Sequence, residues 1–156
     1  MIHICAISDT HKVYSDIHLE PGDLLIFAGD IFRLFQYPGY GLYLFTKFIK
    51  WFGQQPYKYK IFIGGNHDKY LQKHEAYVRE KTSEYQNMYY LNNEQLELTI
   101  NGINLKIYGQ SQMYSNSLSK AFFIEKSQAK EARAQIKEDS NIVITHCPPY
   151  FEKELK

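Results

Sequence analysis

Cysteine occurs only twice in this sequence, as Cys5 and Cys147. Two thiols are too few for a disulfide framework and agree with a reducing compartment. Long hydrophobic runs are also missing: none approaches the ~20 apolar residues that a membrane span requires. The opening Met1-Ile2-His3-Ile4-Cys5 lacks the charged start and apolar stretch of a secretory leader. A soluble, cytoplasmic protein with no membrane partner is therefore expected. Charge of one sign is absent too, because 18 Lys and Arg against 17 Asp and Glu leave a formal net charge of +1. Without a broad basic surface, long nucleic acid is disfavoured as a partner and any phosphate recognition must be local. Repeats and low-complexity segments do not occur, and 156 residues suit a single domain spanning 1–156.

What the sequence does contain is a set of short hydrophobic runs, each ending on side chains that bind metals. Ile2 to Ile7 leads to Asp9 and His11, and Leu24 to Ala28 leads to Gly29-Asp30. Ile61 to Gly64 leads to Gly65-Asn66-His67-Asp68, and Ile142 to Thr145 leads to His146. Continuous apolar runs of this length predict strands buried on both faces, and ligands of such sheets gather at the strands' carboxyl ends. Five donors are thus expected in one crevice of one sheet. Helical stretches alternate with these runs, which predicts an α/β fold. Helices are expected over Gly41 to Phe52, Lys69 to Ser83 and Leu118 to Glu138. The first carries a Leu42, Phe45, Ile49 and Phe52 stripe with further apolar residues opposite it, so it is either covered twice or touches a partner. Strands are expected at Met88 to Leu91, Leu96 to Ile100 and Ile103 to Tyr108, the last two joined by Asn101-Gly102. Asn-Gly between such runs signals a hairpin, and hence a second sheet or a mixed edge.

Asp9, His11, Asp30, Asn66 and His146 combine oxygen and imidazole donors without thiolate. That set suits manganese best, with iron or zinc also compatible and calcium less so. Two divalent ions held about 3.5 to 4 Å apart are a recurring device for splitting phosphate esters. A strand-end carboxylate can offer one oxygen to each, and Asp30, central in the order, is assigned this bridging role. His67 follows a ligand on a tight turn and should face the substrate, where an imidazole can protonate a departing alkoxide. Asp68 is expected to orient the His67 ring.

With these residues in hand, the sequence resembles the calcineurin-like metallophosphoesterases, whose blocks run D-x-H, G-D, G-N-H-D/E, a later H and a final G-H-x-H. They appear here as Asp9-Thr10-His11, Gly29-Asp30, Gly65-Asn66-His67-Asp68 and Thr145-His146. Thr145-His146-Cys147-Pro148-Pro149 is similar to the T-H-x-P-P of a subgroup of small members. The resemblance implies a two-sheet β-sandwich flanked by helices. It also implies one ion on Asp9, His11 and Asp30, a second on Asp30, Asn66 and His146, and attack of metal-bound hydroxide on a phosphomonoester or small phosphodiester. The expected partner is accordingly a small phosphate-ester substrate. No G-H-x-H follows His146, so water fills two positions, a neighbouring subunit lends ligands, or the C-terminal part of the fold is incomplete. Missing strands leave an open edge and an apolar face, which makes a homo-oligomer the expectation. The alternative function is a catalytically impaired scaffold acting as a protein-interaction module.

Plainer readings apply elsewhere. His3, His18 and His74 are read as structural or solvated rather than as ligands, and Cys147 as a small buried hydrophobe rather than a nucleophile. Arg33 is read as an exposed arginine beside a helix, contact with a substrate phosphate being the alternative. The tyrosines are read mostly as core rims and partner surface, with Tyr37, Tyr114 and Tyr150 noted as candidates for stacking on a nucleobase. Glu152 and Glu154 belong to a charged, frayed terminus.

Overall fold

Seven strands divide between two sheets in the computed structural model, which describes residues 1–33, 39–114 and 121–147. The first sheet contains β1 (Ile4–Ile7), β2 (Gly22–Phe27), β3 (Tyr57–Phe62) and β4 (Met88–Tyr90), in spatial order β1-β2-β3-β4 and parallel throughout. The second contains β5 (Glu94–Ile100), β6 (Ile103–Gln110) and β7 (Ile142–Thr145). Its β5-β6 pair is antiparallel and its β6-β7 pair parallel. Asn101 and Gly102 link β5 to β6 with φ of +52° and +79°. Two successive positive φ values match the twist of a two-residue hairpin, which is why Asn-Gly serves there.

The alternation of side chains on β2 shows how one strand joins two cores. Leu25 and Phe27 point into a cluster with Phe45, Phe48, Phe52 and Phe62, on the helix side. Leu24 and Ile26 point into a second cluster with Ile61, Ile63, Leu98, Ile100, Ile107 and Ile144, between the sheets. Both faces of β2 are dry, as its unbroken apolar run predicts. β1 departs from that prediction because it lies at the sheet's edge: Ile4 is 45% exposed. β7 departs in a different way, since it is built into the second sheet by pairing Ile107 to Gln110 with Ile142 to Thr145. The crevice at the strand ends is therefore formed between two sheets rather than along one.

Helix α1 (Tyr40–Gly53) covers the first sheet with Gly41, Leu44, Phe45, Phe48, Ile49 and Phe52, spaced three and four apart as a one-sided helix requires. The expected stripe is rotated: Leu42 is 46% exposed, and Leu44 and Phe48 are inside. Lys69 to Ser83 is not one helix but two, α2 (Lys69–Lys73) and α3 (Glu75–Ser83). The break falls at His74, whose φ of −123° is not helical and whose ring packs on Tyr70 at 4.5 Å. The helix expected over Leu118 to Glu138 shrinks to α4 (Ala129–Ala134) with a single 3-10 turn before it. Residues 118–120 lie outside the described residues, as do Tyr37, Pro148 to Tyr150, Glu152 and Glu154. Among the described residues of that span, Ala121 to Glu125 are not helical: Phe122 has a φ of +55°, and a capping box between Glu125 and Gln128 starts the turn. Among the described residues no helix is long and apolar enough to cross a membrane.

Phe48 is the hub of the helix-side core, with ring contacts to Tyr14, Phe27, Phe52 and Phe62 at 5.1 to 5.6 Å. Phe48→Ala should cost about 3–5 kcal/mol, the range for emptying a buried aromatic site. Urea unfolding followed by far-ultraviolet circular dichroism would register this as a lower midpoint with an unchanged slope.

Candidate metal centre

Two loops of strained backbone carry the first candidate ligands. Asp9, His11, Lys12 and Asp30 all have positive φ, between +47° and +79°, a region that costs a non-glycine residue on the order of 1–3 kcal/mol. Cross-bonds between the loops hold them there: Asp9 N–H donates to Gly29 O, His11 N–H to Asp30 O and Lys12 N–H to Ile31 O, at 2.9 to 3.2 Å. Gly29 permits this approach, since a Cβ on it would press His146 Nδ1 and the Gly65 backbone at 2.7 and 2.9 Å. A Cβ on Gly65 would overlap the carboxylate and backbone nitrogen of Asp30. The two Gly-containing turns are thus in van der Waals contact, and that contact sets Asp30 against Asn66 and His67.

Asp30 is the centre of the arrangement. Its carboxylate is almost fully buried, and its two oxygens face different neighbours. Oδ2 lies 3.9 Å from His11 Nε2 and 3.5 Å from His67 Nε2, whereas Oδ1 lies 3.4 Å from His146 Nε2. Oδ1 also accepts from the His67 backbone N–H at 2.9 Å. Two three-residue groups share this one carboxylate: His11, Asp30 and His67, and Asp9, Asp30 and His146, the donor atoms in each lying within 4.8 Å of one another. Asn66 joins the second through its Oδ1, 3.1 Å from His146 Nε2. All five residues read from the sequence as ligands therefore meet around Asp30.

The histidines are turned toward Asp30 by backbone carbonyls. His11 Nδ1 donates to Phe32 O and His146 Nδ1 to Ala28 O, both at 2.8 Å. With Nδ1 spent on a carbonyl, Nε2 is left as the donor to a cation, the arrangement by which outer partners fix a metal-binding imidazole. No sequence pattern foretells these partners, since any residue carries a carbonyl. The side chains fit divalent cations on chemical grounds: hard oxygens and imidazoles converge without thiolate. Two buried polar atoms at the same place, His67 Nδ1 and Thr10 Oγ1, lack hydrogen-bond partners among the described residues. Cys147 turns its thiol to the Tyr114 carbonyl, which supports its reading as a packing residue.

Two expectations are revised. His67, expected to face away from the ligands, stands beside them, its ring edge-on to His11 at 5.0 Å. Asp68, expected to orient the His67 ring, takes other partners. It is fully buried, and Oδ2 accepts from the backbone N–H of Asp30, Ile31 and Gly65 while Oδ1 accepts from that of Phe32. Adjacency in sequence is misleading here because the tight turn sends neighbouring side chains in opposite directions. The residues missed by sequence reasoning are those behind the turn. Ser111, fully buried, accepts from Gly64 N–H, and Ala121 N–H donates to the Asn66 carbonyl.

Electrostatics follow the packing. Burial pushes the Asp30 carboxyl upward, but the hydrogen bonds from His146 and the His67 backbone, with both rings' charge, hold it below the ordinary value. Burial depresses His146, yet the hydrogen bond and charge of Asp30 dominate and raise it to about 9. For His67 burial prevails and its pKa falls below the usual imidazole range. Around neutral pH the site thus contains an ionised Asp30, a protonated His146 and a neutral His67.

Comparisons with known proteins place this geometry in context. The profile of the calcineurin-like phosphoesterase family matches residues 2–155. A protein of Emericella nidulans named "Probable rhamnogalacturonate lyase C" is 30% identical over 159 residues, covering 99% of this chain and 14% of that protein. "Metallophosphoesterase domain-containing protein 1" of Homo sapiens is 44% identical over 63 residues, covering 40% of this chain and 18% of that protein. The chain thus spans less than a fifth of the length of these curated relatives. A crystal structure superimposes with a TM-score of 0.69 at 14% identity, over 96% of this chain and 70% of that one, a likeness of fold.

Two outcomes follow from the site's physics. Asp68→Ala strips the acceptor from buried N–H groups of both turns, each worth about 1–3 kcal/mol when left unpaired. It should lower the thermal midpoint and also weaken manganese binding, by roughly 10- to 100-fold as for lost supporting partners generally. A variant that unfolds like the wild type would refute the clamp. Secondly, a cation must displace the His146 proton, so manganese affinity should rise about tenfold per pH unit below pH 9, with proton release. Titration calorimetry at pH 7 in buffers of differing ionisation enthalpy checks this; equal heats would count against it. Stability of the ion-free protein should follow the opposite trend, because a raised histidine pKa contributes stability that is complete below about 6.5 and disappears as pH rises through about 9.

Proposed function

The chain belongs to the calcineurin-like phosphoesterase family, and we propose that it hydrolyses a phosphomonoester or small phosphodiester at the Asp30 centre. The observation that carries this reading is the division of one buried carboxylate between two groups of nitrogen and oxygen donors. His11 and Asp30 would hold one divalent ion, and Asp30, Asn66 and His146 the other, with Asp9, which the resemblance assigns to the first ion, grouped instead with Asp30 and His146; manganese is the best match and iron or zinc are compatible. Bound there, such ions supply Lewis acidity and ease the deprotonation of a water, which is the chemistry that ester cleavage at phosphorus needs.

The protein's own part is positioning and proton transfer. The strained loops and the Asp68 clamp fix the donors before substrate arrives, so little reorganisation remains at the moment of reaction. As water oxygen bonds to phosphorus, the bond from phosphorus to the ester oxygen breaks, and that oxygen requires a proton. His67, whose side chain is 20% exposed, is assigned to deliver it. Arg33, whose Nε donates to the His11 carbonyl at 3.2 Å, holds a positive charge at the rim, where a phosphate dianion enters.

With manganese added, the protein should cleave p-nitrophenyl phosphate or bis-p-nitrophenyl phosphate. His67→Ala should lose about 10²- to 10⁴-fold in kcat, the usual worth of acid catalysis, while electron paramagnetic resonance shows manganese still bound. Loss of the ion instead would make His67 a ligand. Wild-type protein that binds manganese and cleaves neither ester would favour the alternative, a scaffold that binds partners without turnover.

A further inference from the structure

The two sheets are unequal, with four strands in the first and three in the second, and the odd strand is uncovered. Ile4 and Ala6 of β1 stand in register with Leu24 and Ile26 of β2, and side chains in register share a face. That face is the inter-sheet core, in which Leu24 and Ile26 are dry. Ile4 is nonetheless 45% exposed, and Ala6 is exposed as well. Among the described residues, therefore, no strand of the second sheet shields these two side chains of β1. The second sheet has the matching vacancy: β7 pairs with β6 on one side and with no described strand on the other. β1 is likewise an edge strand, paired with β2 alone. The open strands read Ile-Cys-Ala-Ile and Ile-Val-Ile-Thr, without the charge or proline that discourages edge pairing. Each is four residues long. They also run the same way, because β1 leads to Asp9 and β7 to His146, which meet at the Asp30 centre.

We infer that this surface fits a second copy of the chain, in an interlocked dimer whose two-fold axis runs between the sheets along the strand direction. Rotation about such an axis exchanges the two layers and keeps the sense of every strand. One protomer's β1 then enters the vacancy beside its partner's β7 and lies against its partner's β1, and the reverse contact forms at the same time. Each layer becomes one continuous sheet of four strands from one copy and three from the other. Ile4 and Ala6 of the two copies face one another across the axis, where water would otherwise meet apolar surface. An isologous contact requires a patch complementary to itself, and this chain supplies both the uncovered strand and the space that receives it. A foreign strand added to β7 would cover Ile4 and Ala6 but leave the free edge of β1 unpaired, whereas a second copy fills both edges. The contact uses no donor of the Asp30 centre, so it stands apart from the phosphoesterase reading.

Sedimentation equilibrium of the full chain tests this. Wild type should show twice the chain mass of 18.4 kDa and dissociate on dilution. Ala6→Lys sets two like charges face to face across the axis and should raise the dimer Kd by about 100-fold or more, with the circular dichroism spectrum unchanged. Leu42→Lys, on the exposed side of α1, should sediment like wild type. A wild type that stays at 18.4 kDa up to about 1 mM, or a folded Ala6→Lys that dimerises as tightly as wild type, would overturn the interlock. Amide hydrogen exchange on the wild type reads the same contact without any substitution, and decides the matter if Ala6→Lys does not fold. Exchange in Ile4 to Ile7 and Ile142 to Thr145 should slow in concentrated protein and recover on dilution. Slowing confined to α1 would put the contact there instead and sink the proposal.

Discussion

One buried carboxylate, that of Asp68, ties the ligand-bearing turns together. It accepts from Asp30, Ile31 and Phe32 on one turn and from Gly65 on the other. A dry carboxylate is expensive in isolation, and burial pushes Asp68 up to about 7 against the pull of these N–H groups. The compensation is structural: four backbone donors that would otherwise be orphaned in the core find one acceptor. Because Asp30 and Gly65 are bonded to the same oxygen, the Asp30 carboxylate and the Asn66-His67 step move as a unit. The positive φ of Asp30 is affordable only in that setting, as strain persists where surroundings over-determine it.

The second constraint is the meeting of two sheets. Three of the ligand loops follow or precede strands of the first sheet, whereas His146 follows β7 of the second. The Ala28 carbonyl at the end of β2 receives the His146 ring, so a contact between sheets also fixes a ligand's orientation. The inter-sheet core of Ile26, Ile61, Ile107 and Ile144 sits directly behind this contact in the layer order.

Much of this was legible in the sequence because strand-end ligands leave a linear record. Hydrophobic runs mark the strands, and the residues after them mark the crevice, so Asp9, His11, Asp30, Asn66 and His146 could be named from their positions alone. Asn101-Gly102 announced its hairpin for the same reason, a local backbone requirement met by local residue types. What stayed hidden was non-local. Nothing in Ile142 to Thr145 says that this strand pairs with Ile107 to Gln110 rather than with β1 or β2. The division of Lys69 to Ser83 at His74 depends on ring packing with Tyr70, and the short α4 on a left-handed Phe122 whose ring presses on Gly64. Asp68 looked like a partner of its neighbour in sequence, when three of its four partners are 36 to 38 residues away and the fourth is Gly65.

That His146 and Asp30 belong to opposite layers makes their separation a gauge of the whole sandwich. Any slippage of one layer over the other, even one that leaves every strand intact, is transmitted to the space between Nε2 and Oδ1. Packing changes at Ile61 or Ile107, which belong to the inter-sheet core rather than to the donor groups, would thus act on the chemistry through alignment, much as a misfitting hinge spoils a lock whose parts are all sound.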